Sequence, residues 1–342
     1  MTELQLQKKL DGVVFGTAIG DALGWPVEFM SMCDIHARYG DEGVRDFESA
    51  FIGTPSEVAA GPMWSGPACA RYTDDTQMMR AVLEGLIRAR PQSKLEINST
   101  AEEVAAEFID WANSPENNRA PGASCMYGCR QLEAGVRWEK AGKEGSKGCG
   151  AAMRAMAYGV WFWENPEIAA EYAAAHALMT HRSAEAQASA AAVAAGTARA
   201  IMGYPLEAIW MGMRDFADLW DASTAELIYD AAVAALHRDI HEFQILDQWR
   251  GWTGAEAVAA ALFCFLRAEG NYVGAVLRAV NSPGDSDSLG AIAGALAGGH
   301  GGVFSIPEKW RHRIEKSFEL NAYSSRVCRA RGMFRREVFD VR

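Results

Sequence analysis

The chain has 342 residues, of which 49% are hydrophobic and 23% charged, and this is enough for a large buried core. Its formal net charge of −11 argues against a general nucleic-acid-binding surface, because such a surface is basic. The sequence contains no N-terminal apolar segment and no apolar run of about 18 residues, so neither a secretory signal nor a membrane span is expected.

Helical periodicity dominates the sequence. Apolar residues recur at three- and four-residue intervals, for example at Met78, Met79, Val82 and Leu83. The pattern predicts helices over residues 10–23, 77–90, 101–111, 124–132, 151–163, 166–179, 183–200, 255–267, 272–280 and 289–297. The alanine-rich helix over 183–200 is expected to pack closely against its neighbours. Strand patterns are too brief to predict a sheet. We therefore expect an all-α fold and, because no linker divides the chain, a single domain over residues 1–342.

Three long loops separate the predicted helices, at residues 40–72, 113–123 and 139–150, and they are rich in glycine and polar residues. Long loops in a compact domain are often functional. They predict a cleft between helix ends and loops.

The seven cysteines are scattered and form no CxxC motif. This distribution favours reduced thiols and a cytoplasmic protein.

Two acidic clusters stand out against this background: Thr-Asp-Asp-Thr at 73–76 and Gly-Asp-Ser-Asp-Ser at 284–288. One interpretation is helix capping, with Asp74 and Gln77 as a capping-box variant and Asp287 or Ser288 capping a helix that begins at Leu289. The other is metal binding, because carboxylates and hydroxyls are the hard oxygen ligands that Mg²⁺ and Mn²⁺ prefer. If the clusters meet, four carboxylates carry −4, and two divalent ions neutralise them. From the residues alone this predicts a di-metal hydrolase or binder and no particular substrate.

Ordered motifs across most of the chain resemble the ADP-ribosylglycohydrolase family. They are GTAIGDALG at 16–24, VEF at 27–29, TDDT at 73–76, RAPG at 119–122, GCGAAMR at 148–154, TH at 180–181, GW at 251–252 with Glu256, and GDSDS followed by GAIAG at 284–294. This sequence departs from the family pattern at Cys149, where asparagine is frequent, at Ala123-Ser124, where Asn-Thr is frequent, and at Pro283, where glycine is usual. It carries Ser288 where many members have threonine, and serine there resembles the arginine-directed branch.

The resemblance implies an all-α orthogonal helical bundle with two Mg²⁺ or Mn²⁺ ions in a central cleft. The implied metal ligands are Thr73, Asp74, Asp75, Asp285, Asp287 and Ser288. Glu28, Asp74 and Asp287 are the implied catalytic residues, and Glu28 is a candidate for gating or proton transfer. The implied substrate-binding residues are Gly122, Ser124, Gly148, Gly150, Ala151, Met153 and His181.

The function that the resemblance implies is metal-dependent release of ADP-ribose from modified proteins, with arginine N-glycosides favoured. Such an enzyme reverses a toxin or regulatory ADP-ribosyltransferase, and an immunity role against a cognate transferase is a further hypothesis. The alternatives are hydrolysis of serine-linked or small-molecule ADP-ribose conjugates, non-catalytic binding of ADP-ribose, and di-metal phosphatase activity.

Three further hypotheses concern single residues. Asp21, within an apolar helix, is expected to brace the first acidic loop by hydrogen bonds. His181 either lines the adenosine side of the cleft or lies at a helix N-terminus and bonds to nearby backbone. Trp25, Trp64 and Trp252 are candidates for stacking on adenine or shaping the cleft mouth, with core packing as the alternative.

Overall fold

The computed structural model describes residues 1–47, 70–237 and 241–333, and Trp64 lies outside them. The described residues form 17 α-helices and one pair of two-residue strands, so the prediction of an all-α fold is confirmed. The helices are α1 (Glu3–Gly24), α2 (Met32–Tyr39), α3 (Asp74–Ala89), α4 (Ile97–Asn113), α5 (Ala123–Glu133), α6 (Trp138–Ala141), α7 (Met156–Trp161), α8 (Pro166–Ala177), α9 (Ala184–Met202), α10 (Leu206–Asp218), α11 (Ala222–Leu236), α12 (Glu242–Gln248), α13 (Gly254–Arg267), α14 (Tyr272–Val280), α15 (Ser286–Gly301), α16 (Glu308–Arg313) and α17 (Ser317–Ala330).

Helices α1 and α15 lie antiparallel with their backbones in direct contact along a line of glycines, which we call the glycine seam. Gly12 faces Gly298, Gly16 faces Gly294 and Gly20 faces Gly290. A Cβ atom added at Gly16 would lie 2.2 Å from the carbonyl oxygen of Gly294, so no side chain fits there. The seam brings the first turn of α15 to the C-terminal end of α1, and this contact positions the second acidic cluster.

Alanine provides the other close helix contact. Ala170 and Ala174 of α8 pack with Ala191 and Ala195 of α9, and all four side chains are fully buried. The expected close packing of the alanine-rich helix is confirmed. None of the described helices combines the length and the apolar character that crossing a lipid bilayer requires.

The helix predicted over 151–163 was largely wrong. A short 3₁₀ turn over Cys149–Ala151 and further turns occupy its first half, and α7 covers only Met156–Trp161. The carbonyl oxygen of Gly150 accepts a hydrogen bond from the Arg154 guanidinium at 2.8 Å. In an α-helix, the same carbonyl oxygen would instead accept a hydrogen bond from the backbone N–H of Arg154.

Strands β1 (Lys143–Glu144) and β2 (His181–Arg182) pair in parallel. Strand β1 lies in the loop predicted over 139–150, and β2 lies between the helices predicted over 166–179 and 183–200. The pair fixes His181 next to the glycine-rich turn at 148–150. Sequence reasoning also passed over seven helices, namely α2, α6, α10, α11, α12, α16 and α17.

Candidate metal centre and substrate cleft

The first acidic cluster is held by Asp21 of α1. The Asp21 carboxylate accepts hydrogen bonds from the backbone N–H of Thr73 at 2.8 Å and of Thr76 at 3.0 Å, and from the Thr76 hydroxyl at 2.5 Å. Asp21 is fully buried, and burial raises its pKa to about 7, with repulsion from Asp287 as a further cause. The predicted bracing contacts are present.

A buried ion pair holds the backbone just before this cluster. The Arg119 guanidinium donates to the Tyr72 carbonyl oxygen at 2.9 Å and forms a bidentate pair with Glu315, whose carboxylate accepts from the Tyr72 N–H at 2.9 Å. Arg119 belongs to the RAPG motif. Its structural role is to fix the entry to α3 and the turn that leads to Gly122.

The second cluster depends on a turn that only glycine fits. Gly284 has φ of +100°, and a Cβ atom there would lie 2.3 Å from the Arg250 carbonyl oxygen. The N–H of Asp285 donates to that same oxygen at 2.8 Å. Helix α15 then begins at Ser286, so Asp287 and Ser288 point from its first turn.

The capping interpretation of both clusters was wrong in detail. Thr73, not Asp74, is the N-cap of α3, and the Gln77 side chain bonds instead to the Trp111 indole and the Glu116 carbonyl. Helix α15 begins three residues earlier than expected, and its N-cap Asp285 makes no side-chain capping bond. Capping therefore does not account for four acids.

The two clusters meet in space, although 213 residues separate Ser288 from Asp75. The Ser288 hydroxyl donates to the Asp75 carboxylate at 2.8 Å. Carboxylate oxygens of Glu28, Asp285 and Asp287 lie within 4.8 Å of one another. We call Glu28, Thr73, Asp74, Asp75, Asp285, Asp287 and Ser288 the acidic centre.

Burial and mutual repulsion disfavour the ionised form of the carboxylates in the acidic centre. Burial first, and repulsion between neighbouring carboxylates second, raise the pKa of Asp75 and Asp285 well above the usual range and that of Glu28 to about 10. Burial also raises the pKa of Asp74, against the hydrogen bond that its carboxylate accepts from the Gly122 N–H at 3.0 Å. Hard divalent cations would supply the missing positive charge, and the all-oxygen set of carboxylates and hydroxyls fits them.

A cleft of about 200 Å³ opens beside the acidic centre and has glycine-rich walls. Six of the seven predicted substrate residues line it, namely Gly122, Ser124, Gly148, Gly150, Met153 and His181, together with Asp74, Asp75, Asp285, Ser288 and Trp252. Ala151 is buried and does not belong to the lining. Bare backbone at the glycines allows N–H groups to approach ligand oxygens.

His181 presents a neutral ring to this cleft. Its Nδ1 lies 2.8 Å from the Thr180 hydroxyl, whose oxygen also accepts from the Arg154 guanidinium at 2.8 Å. Burial first, and the nearby Arg154 charge second, lower the His181 pKa to about 3. The ring is therefore oriented through Thr180, and of the two expectations for His181 its position favours the cleft-lining one.

Sequence reasoning missed the contacts of Cys149 with the acidic centre. Its thiol donates to the Asp285 carboxylate at 2.8 Å and lies 3.5 Å from the Ser288 hydroxyl. In the sequence, Cys149 was noted only because asparagine is frequent at this position in the family. The stacked pair of Phe29 and Trp252, with ring centroids 5.3 Å apart, was also missed as a pair, since 223 residues separate the two rings.

We expect Asp21→Asn to lower the free energy of unfolding by about 2–3 kcal/mol, as measured by urea denaturation. Both carboxylate oxygens of Asp21 accept hydrogen bonds, whereas asparagine offers one acceptor and turns N–H donors toward a backbone N–H. Asp11→Asn on the same helix is the matched control, because the Asp11 carboxylate bonds to the Ser324 side chain through one oxygen only, while its Oδ1 has no hydrogen-bond partner among the described residues. Equal losses in the two variants would contradict the bracing role.

Comparison with known proteins gives a consistent result. A family model described as ADP-ribosylglycohydrolase matches residues 2–336. The chain is 25% identical over 321 residues to the ADP-ribosyl-[dinitrogen reductase] glycohydrolase of Rhodospirillum rubrum, with 93% of this chain and 94% of that protein covered. It is 22% identical over 352 residues to ADP-ribosylhydrolase ARH3 of Bos taurus, with 93% and 92% covered. A solved structure described as an ADP-ribosylglycohydrolase-related protein complex aligns with a TM-score of 0.71 at 25% identity, covering 96% of this chain and 99% of that one.

Proposed function

The chain belongs to the ADP-ribosylglycohydrolase family, and from this premise we propose that it is a metal-dependent hydrolase that releases ADP-ribose from proteins modified on arginine. The observation that carries the proposal is the meeting of the two acidic clusters beside a glycine-lined cleft. A relative named for its action on ADP-ribosyl-[dinitrogen reductase] supports a protein substrate.

The proposed metal ligands are Thr73, Asp74, Asp75, Asp285, Asp287 and Ser288. The proposed ions are two Mg²⁺ or Mn²⁺, because one divalent charge would leave −2 on four buried carboxylates and two would leave none. When bound, these ions supply positive charge and coordination sites for the hydroxyls of the ribose next to the scissile bond.

The protein's own groups carry the remaining steps. Backbone at Gly148 and Gly150 holds the ribose and pyrophosphate, Gly122 lines the cleft beside them, and the His181 ring orients the sugar. In the reaction the bond between the anomeric carbon and the guanidine nitrogen breaks, and that carbon bonds to a water oxygen. A proton of this water passes to the departing nitrogen, and Glu28 is the residue that we propose moves it. Asp74 and Asp287 would hold the ions against this ribose, whose anomeric carbon passes through an oxocarbenium-like transition state.

Incubation with an arginine-ADP-ribosylated protein and Mg²⁺ or Mn²⁺ is the test of this function. We expect mass spectrometry to detect free ADP-ribose, and a chelator to abolish its release. A serine-modified protein is the parallel substrate. Release from serine alone would contradict the arginine assignment, binding without release would favour a binding module, and phosphate release from monoesters would favour a phosphatase.

We expect Mg²⁺ or Mn²⁺ to stabilise the fold as well. At about 100 times the dissociation constant, binding at one site raises the free energy of unfolding by about 2.7 kcal/mol. Urea denaturation with metal and with chelator measures the difference, and KCl at matched ionic strength controls for screening. Equal stability in all three solutions would argue against a metal centre.

A cognate ADP-ribosyltransferase is the proposed functional partner, because the substrate arises only by such a transfer. The same reaction supports a role as an immunity protein where that transferase is a toxin. The six described cysteines are free thiols, which supports the proposal of a reducing, cytoplasmic location.

A further inference from the structure

A second concavity adjoins the acidic centre, and we call it the outer groove. It is an open groove of about 670 Å³ whose walls include Trp25, Glu28, Phe29, Asp34 and Arg38. The Glu28 carboxylate connects the two spaces, because it lines the outer groove and also lies within 4.8 Å of the carboxylate oxygens of Asp285 and Asp287. The glycine-lined cleft and the outer groove therefore both adjoin the acidic centre.

Phe29 and Trp252 form an exposed aromatic ridge between these two spaces. Their rings stack with centroids 5.3 Å apart and planes 23° apart, although the residues are 62% and 51% exposed. Trp252 lines the cleft and Phe29 lines the outer groove. Because the two rings stack on one another, each ring has one face left to contact a ligand.

The backbone holds Phe29 in this exposed position at a cost. Its φ of +63° lies in the left-handed region, which costs a non-glycine residue about 1–2 kcal/mol. A hydrogen bond from the Phe29 N–H to the Gly284 carbonyl at 2.7 Å fixes the conformation and ties Phe29 to the turn that carries Asp285. The ridge and the acidic centre are therefore one connected unit.

The proposed substrate has two parts, ADP-ribose and the arginine to which it is joined. The cleft and the outer groove differ in chemistry in a way that matches these two parts. The cleft offers backbone at glycines, which suits the oxygens of ribose and phosphate. Among the described residues, the outer groove offers aromatic faces at Trp25 and Phe29, with the acidic side chains of Glu28 and Asp34 beside Arg38. The face of an aromatic ring attracts a planar cation.

We propose that the outer groove and the aromatic ridge bind the guanidinium side of an arginine-linked substrate, with the target arginine stacked on the ridge. This inference rests on the proposed function and assigns its linkage preference to particular residues. It orients the substrate as well, with ADP-ribose in the cleft and the protein-bound arginine leaving through the outer groove.

The test compares Phe29→Ala and Trp252→Ala with the wild-type enzyme on an arginine-ADP-ribosylated peptide with Mg²⁺ present. We expect KM to rise about three- to tenfold, which corresponds to the loss of one cation–π contact, and we expect kcat to change much less. Trp252→Phe keeps an aromatic face and should restore most of the affinity. Phe318→Ala removes a ring that is 87% exposed on α17 and is the matched control, with KM unchanged.

Calorimetric titration with ADP-ribose alone measures binding of the ADP-ribose part without the arginine part. We expect its affinity to stay within about twofold in Phe29→Ala, since Phe29 lines the outer groove and not the cleft, and ADP-ribose lacks the guanidinium. A parallel loss of ADP-ribose affinity in Phe29→Ala would overturn the inference, and so would an unchanged KM in both variants while the wild-type enzyme cleaves the arginine linkage. Failure of the wild-type enzyme to release ADP-ribose from any modified protein would instead overturn the proposed function itself.

Discussion

Asp287→Asn should lower the release of ADP-ribose about a thousandfold, which corresponds to about 4 kcal/mol of lost transition-state stabilisation. Calorimetry should show weaker binding of Mg²⁺ and Mn²⁺, while circular dichroism keeps its helical signal. Asp287 is central to the acidic centre, because its charge contributes to the raised pKa of Asp21, Glu28, Asp74, Asp75 and Asp285.

The same substitution separates metal binding from helix stabilisation. If Asp287 served only the positive end of the α15 dipole, its loss would destabilise the fold by up to about 1 kcal/mol with or without metal. If it belongs to a crowded metal site, removing its charge should relieve repulsion and stabilise the metal-free protein, while the stabilisation by metal falls. Urea denaturation with and without Mg²⁺ distinguishes the two cases.

Asp221→Asn is the matched control for that experiment. Asp221 is the N-cap of α11, and its carboxylate accepts from the Thr224 N–H at 2.9 Å. Asparagine caps as well as aspartate does, so activity and stability should stay near the wild-type values. Full activity in Asp287→Asn, or an equal loss in Asp221→Asn, would remove the assignment of Asp287.

Local patterns in the sequence predicted much of the helical fold. The apolar spacing of residues 77–90 lies on α3, and Gly284 correctly marked a turn before α15, although this helix begins inside the second acidic cluster at Ser286. The helical pattern misled where a side chain takes the place of a backbone hydrogen-bond donor. Arg154 is the clearest case, because its side chain takes a carbonyl that the helical pattern assigned to the backbone.

The candidate site could be predicted only as a set of residue types. The acids, Glu28, and the glycine-rich turns are visible in sequence, and the structure brings most of them to one place. That Ser288 would reach Asp75 depends on the glycine seam, whose signal was present as glycines four residues apart at Gly12, Gly16 and Gly20 and again at Gly290, Gly294 and Gly298. Contacts of Cys149 with the centre, and of Phe29 with Trp252, join distant segments and carry no local periodicity.

Gly20→Ala should therefore damage stability and the site together. A Cβ atom at position 20 would lie 2.0 Å from the Gly290 carbonyl oxygen and 2.4 Å from its carbonyl carbon. Backbone atoms of a helix cannot rotate away, so α1 and α15 must separate to reach a normal contact distance of about 3.5 Å. We expect the free energy of unfolding to fall by about 3 kcal/mol, as measured by urea denaturation.

The loss should extend to metal affinity, because the seam sets the distance between Asp21, which holds the first cluster, and Asp287 at the start of α15. Gly274→Ala on α14 is the matched control: the nearest atoms there are side-chain atoms of Ala268 and Arg278 at 3.2 Å, and the long Arg278 side chain has room to move. Alanine within a helix gains about 0.5–1 kcal/mol over glycine, so this variant should be as stable as the wild type or more so. If Gly20→Ala matched it in stability and kept full Mg²⁺ affinity, the position of the second acidic cluster would have to come from contacts other than the glycine seam.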